Sequence, residues 1–127
     1  MDSLPYLHAA VFTTRGYLEE HWPALRQLSR ALVGAIAYVK QNPAATKQIM
    51  ARYTKEEDPE ALDAAYETYV TSYLPRAPYA SLDGVRTILE EIAATNPAAL
   101  GQDPARFVDD RFVRELDTSG FIGSLYP

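Results

Sequence analysis

Four times this chain sets Asn or Asp directly before Pro, at Asn42-Pro43, Asp58-Pro59, Asn96-Pro97 and Asp103-Pro104. A short polar side chain accepts hydrogen bonds from the free N–H groups of a helix's first turn. Proline suits the first helical position, where a missing N–H costs nothing. Each pair therefore reads as the cap and first residue of a helix, and the chain as a string of helices joined by short breaks. The apolar spacing agrees. From Pro23, residues Leu25, Leu28, Leu32, Ile36 and Val39 recur every three or four positions, which draws one face of a helix. Ala45, Ile49 and Tyr53 follow the second break. Leu62, Tyr66, Tyr69, Val70 and Tyr73 follow the third, ended by Pro75. Ser81 is placed to cap a helix whose face is Val85, Ile88, Leu89 and Ile92. A last helix over about residues 110–118 carries Phe112, Val113 and Leu116, with Gly120 as its stop.

One segment breaks the pattern. "YLHAAVFTT" (residues 6–14) is short and rich in β-branched and aromatic residues, so it predicts a strand. The expected fold class is mainly α, with five or so helices and one short N-terminal strand. Residues 1–127 form a single domain or part of one. A lone strand has no sheet partner in the chain, and its bare edge predicts self-association, most simply a homodimer through the strand or through uncovered helix faces.

The composition excludes several kinds of function. Twelve Lys and Arg stand against seventeen Asp and Glu, for a formal charge of −5, with no basic surface for nucleic acid. The absence of cysteine rules out disulfides, thiolate metal sites and Cys nucleophiles. The longest apolar run, "ALVGAIAYV" (residues 31–39), falls far short of the about 20 residues that span a bilayer. The N-terminus has an acidic residue where a signal peptide carries basic ones, so no export signal is expected, and a start at Met1 implies a cytoplasmic protein.

Residues of catalytic type occur without catalytic spacing. His8 and His21 share no ligand pattern, so no metal site is expected. "DTSG" (residues 117–120) reads as a helix C-terminus, and "EED" (residues 56–58) and "DD" (residues 109–110) as acidic residues at helix starts, where the macrodipole favours them. There is no glycine-rich phosphate loop and no nucleophile elbow. Tyr66, Tyr69 and Tyr73 could offer a platform to a small ligand, but their helical spacing predicts packing. No cofactor and no enzymatic activity are expected.

Three longer phrases carry a resemblance: "FTTRGYLEEHWPALRQLSRALVGAIAYVKQNPAATKQIMARY" (residues 12–53), "YASLDGVRTILEEIA" (residues 79–93) and "FVDDRFVRELDTSGFIGSLY" (residues 107–126). Together they resemble the C-terminal part of periplasmic substrate-binding proteins of ABC transporters, of the nitrate/sulfonate/taurine type that also includes binding proteins for pyrimidine precursors of thiamine. The resemblance implies the closing segment of a bilobed α/β fold that shuts around a small organic or anionic solute and delivers it to an ABC permease in the periplasm. It implies that a missing lobe must be supplied before the solute binds. It also implies that "HAAVFTTR" (residues 8–15) runs past the cleft, which makes His8, Thr13 and Thr14 the ligand-contact candidates.

Overall fold

The breaks act locally as their chemistry requires. The computed structural model describes Leu7 and residues 9–127, and among these it contains seven α-helices and no strand. Thr14 opens α1 (Arg15–Glu20) by accepting from the Tyr17 N–H at 3.2 Å. Helix α2 (Trp22–Gln41) follows after His21, with Pro23 in its first turn. It stops at Asn42, whose side-chain amide donates to the Tyr38 carbonyl at 2.8 Å, because Pro43 cannot continue the ladder. Thus Asn42 closes α2 rather than capping α3 (Pro43–Thr54), which has no side-chain cap bond. Asp58 does cap α4 (Pro59–Ala65), accepting from Glu60 N–H at 3.0 Å. Ser81 caps α5 (Leu82–Ala93) through Gly84 N–H at 3.0 Å. The last two Asx-Pro pairs also cap, through Ala98 and Ala105 N–H, but they open only single 3₁₀ turns, Pro97–Ala99 and Pro104–Phe107. Helix α6 (Arg111–Thr118) ends before Gly120, whose φ of 78° only glycine adopts without strain, and α7 (Phe121–Ser124) closes the chain.

The expected N-terminal strand does not form among the described residues. Leu7 and residues 9–14 are irregular, while Tyr6 and His8 lie outside the described residues. The reason is physical: a strand satisfies its backbone groups only against a neighbour, and every other element is helical. The sheet of a bilobed α/β fold is accordingly not found among the described residues.

Helix α2 is the hub, in contact with α1, α3, α6 and the segment after α4. Its Val33 and Ala37 are buried, and Val33 joins Leu116 and Ile122 in a core flanked by Val113, Phe121, Leu125 and Tyr126. Trp22 and Phe112 pack with ring centroids 4.3 Å apart where α2 meets α6. Gln41 donates to the Leu125 carbonyl at 2.8 Å and ties the chain's end to the end of α2. Helix α5 packs instead on the two 3₁₀ turns. It is joined to α6 through the loop before it: Tyr79 donates to Asp117 at 2.8 Å and the Ala80 N–H to Asp110 at 3.3 Å.

After α4 the helix widens into a π segment over Tyr66–Tyr73, where the Leu74 N–H reaches back to the Tyr69 carbonyl. Tyr66 is half-buried, and its hydroxyl donates to the Val39 and Lys40 carbonyls in the last turn of α2. Lys40 returns the link by donating to the Val70 carbonyl at 2.6 Å. The expectation that the tyrosine stripe packs holds for Tyr66 only. Tyr69 and Tyr73 are 66% and 63% exposed, because the wider turn rotates them away from α2.

Two substitutions separate core from surface. Leu116→Ala should cost about 2–5 kcal/mol, as truncation in a packed core does, while Tyr69→Ala should stay within about 0.5 kcal/mol. Thermal denaturation followed by circular dichroism measures both.

Candidate functional site

Two shallow hollows stand out among the described residues. The better formed, about 300 Å³, lies between α2 and α6 and is lined by Arg26, Gln27, Arg30, Glu115, Leu116 and Ser119. Arg26 and Arg30 stand one turn apart on α2, on the side of the helix that carries Val33. Arg26 Nε donates to both oxygens of Glu115, at 2.8 and 3.0 Å, and Nη2 makes a further contact with Oε1. This fork-on-carboxylate geometry is the stronger kind of ion pair. The hydrogen bond from Arg26 holds the Glu115 carboxyl below its usual range and raises the guanidinium in turn. Arg30 sits over the Phe121 ring, 3.7 Å from its centroid. Ser119 donates to the Leu116 carbonyl at 3.1 Å. Arg26 and Glu115 already satisfy one another, and the pair is open to water, its side chains 53% and 42% exposed.

The second hollow, about 490 Å³, lies between the end of α3 and α4, around Arg52, Lys55, Glu57 and Leu62. Lys55 adopts a left-handed conformation, φ 61°, which ends α3. Glu56 folds back so that one carboxylate oxygen accepts from the Glu57 and Asp58 N–H groups, each at 2.9 Å. Its acidic cluster is therefore turn chemistry. Neither hollow joins a nucleophile to a base.

The sequence-predicted contact residues do not converge. Thr14 uses its hydroxyl to cap α1, Thr13 is exposed, and neither lines a hollow. His8 lies outside the described residues. His21 stacks on Tyr17, with ring centroids 3.9 Å apart, and its Nδ1 lies 3.2 Å from the Tyr17 carbonyl, which makes it the junction residue between α1 and α2. Among the described residues no group of three or more His, Asp or Glu side chains could hold a metal ion. Nor is any helix there long and apolar enough to cross a membrane. Asp117 accepts from Tyr79 and so raises the phenol, and Asp109 is held low by the hydrogen bond from Arg111.

The Arg26–Glu115 contact was missed at the level of sequence, since its partners lie 89 positions apart. One signal was present: two arginines one turn apart in the first half of a largely apolar helix demand partners. No family model, curated protein or solved structure matches the chain.

The pair gives the chain a pH dependence of definite sign. The folded value of Glu115 lies below the unfolded one, near about 4.3, so its contribution to stability is present at neutral pH. That contribution is lost as pH falls through the folded value. Glu115→Gln should lower Tm at pH 7, and the gap to the parent should close as pH falls through the lowered folded value of Glu115. It should also narrow in about 1 M salt, since both side chains are exposed. A gap independent of pH would remove the ion pair as its cause.

Proposed function

We propose that this chain acts as a solute-binding component of an ABC-type importer, or as the closing part of one, and that it works docked against a further body that completes the cleft. One observation carries the reading. Apolar residues at helical spacing, which should face a core, stand at the surface: Leu28 and Leu32 on α2, Ile49 and Tyr53 on α3, Tyr69 and Tyr73 after α4, and Ile92 on α5. Helices with bare apolar faces are what a chain presents when those faces belong against something else. The three phrases that resemble the nitrate/sulfonate/taurine-type binding proteins supply the class of that whole: a bilobed α/β protein serving a permease in the periplasm.

The solute class is a small organic or anionic molecule such as a sulfonate, nitrate or pyrimidine precursor, and the reading assigns no catalysis. A cleft ligand is normally enclosed on most sides, whereas both hollows here are open to water, and the one between α2 and α6 has its Arg26 and Glu115 already paired. His8, Thr13 and Thr14 remain the contact candidates, to be completed by the facing body.

A second reading has its own support. The outward side of α2 bears no charge, which suits a free-standing helical interaction module that associates with itself.

The isolated chain should show no heat with taurine, nitrate or a hydroxymethylpyrimidine below millimolar concentration in isothermal titration. Joined to the two lobes of a sulfonate-binding protein in place of that protein's own C-terminal part, it should restore micromolar taurine binding. Micromolar binding by the chain alone, or a folded chimera that binds nothing, would overturn the first reading.

A further inference from the structure

Helices α2 and α6 lie side by side, and their contacts climb together along both. Trp22 meets Phe112, Arg26 meets Glu115, and Arg30 shares the next level with Ser119 and Phe121. Four residues are about 6 Å of helix, so Arg30 and Ser119 stand one rung beyond Arg26 and Glu115 on both helices. At the Arg26 rung a guanidinium fork closes on a carboxylate. The rung before it does the same. There Arg111 lies 4.6 Å from the centroid of the Trp22 ring and donates to Asp109 through Nε at 2.9 Å and Nη2 at 2.5 Å. Stacking occupies the face of a guanidinium and leaves its in-plane N–H groups to donate. The Arg30 rung repeats the stacked pose without the acid. Arg30 lies 3.7 Å from the centroid of Phe121, and among the described residues it holds no carboxylate. Ser119 stands where the spacing from Glu115 would put one, small and uncharged, with its proton given to the Leu116 carbonyl.

The geometry points to this rung as a binding site for a small organic carboxylate, taken by the Arg30 fork as Arg26 takes Glu115. The hollow between α2 and α6, about 300 Å³, has the size of a small-molecule site at the lower end of the range. Leu116 lines it from the core side and gives a short hydrocarbon tail an apolar contact. Gln27, one turn before Arg30 on α2, brings a side-chain amide donor to the same hollow. The charge also fits. Two guanidiniums and one carboxylate line the hollow, which leaves it positive by one within a chain of net charge −5. A bidentate acceptor suits a fork that stacking already holds in one plane. Arg30 is exposed, so water competes, and the affinity belongs in the millimolar range. The site needs no facing body and therefore stands or falls apart from the cleft reading.

Titration of the isotope-labelled chain with sodium butyrate, followed by NMR at an ionic strength held constant with sodium chloride, tests the site. The Arg30 Nε–H signal and the backbone amides of Gln27 and Ser119 should shift together and saturate, half-way at about 1–20 mM. Butanol, which has the tail without the charge, should leave the Arg30 signal in place. Inorganic phosphate, which has the charge without the tail, should bind less tightly than butyrate. Arg30→Lys keeps the charge and loses the fork, so it should weaken butyrate binding by at least about fivefold. Ser119→Glu supplies the acid from within the chain and should abolish butyrate binding, with helical circular dichroism unchanged. Shifts that fail to saturate by about 100 mM would overturn the site. So would an equal response to butanol, or butyrate binding undiminished in a folded Ser119→Glu chain. Tighter binding of phosphate than of butyrate would overturn the assignment to carboxylates.

Discussion

Helix α2 turns its charges toward the protein and its leucines and alanines toward solvent, and the other elements are arranged by that division. Its inner side must accommodate two guanidinium groups and an ammonium beside Val33 and Ala37. Arg26 and Arg30 keep contact with water beside that core, so they act through the direct partners they hold rather than through burial. Each of the three recruits a different element: Arg26 holds α6 through Glu115, Arg30 holds α7 through Phe121, and Lys40 holds the π segment through Val70. The apolar core of Val33, Leu116 and Ile122 supplies the attraction, and these polar contacts select which faces of α6 and α7 are presented to α2.

The π segment shows the same economy at the other end of α2. The last carbonyls of a helix lack intrahelical donors. Those of Val39 and Lys40 are met by the Tyr66 hydroxyl, and that of Val39 also by Thr46, which is buried and donates to it at 3.2 Å. Widening the turn after Ala65 frees the Val70 carbonyl to accept from Lys40. The cost is borne by the two later tyrosines. They lose the register that their spacing implies and stand in water.

What was legible in the sequence was local. Ser81, Asp58, Asn96 and Asp103 cap as their chemistry dictates, and Gly120 stops α6. What was not legible was direction. Leu25, Leu28, Leu32, Ile36 and Val39 mark a helical face, yet α2 is apolar around most of its circumference, and periodicity alone does not say which side turns inward. The decision falls to Arg26, whose partner Glu115 is far away in sequence. The strand over residues 6–14 was read from side-chain type, but a strand needs a neighbour, and local composition does not supply one. The candidate contacts Thr13 and Thr14 were placed by resemblance to a larger fold, and within the chain Thr14 is already committed to Tyr17.

The same inversion bears on how the two readings of function relate. One helix face can be covered by one partner at a time, so a second copy and the facing body of a binding protein would compete for α2. Whatever binds one form alone shifts the balance by mass action, and a self-paired chain would withhold the face until a body with more complementary area displaced the copy. An isologous pair also has a natural limit: a two-fold contact uses the same patch on both chains and closes. Tyr53, Tyr69 and Tyr73 would remain outside it, on α3 and the π segment. Tyrosines tolerate water through their hydroxyls better than Leu28 and Leu32 do, which concentrates the drive for burial on α2.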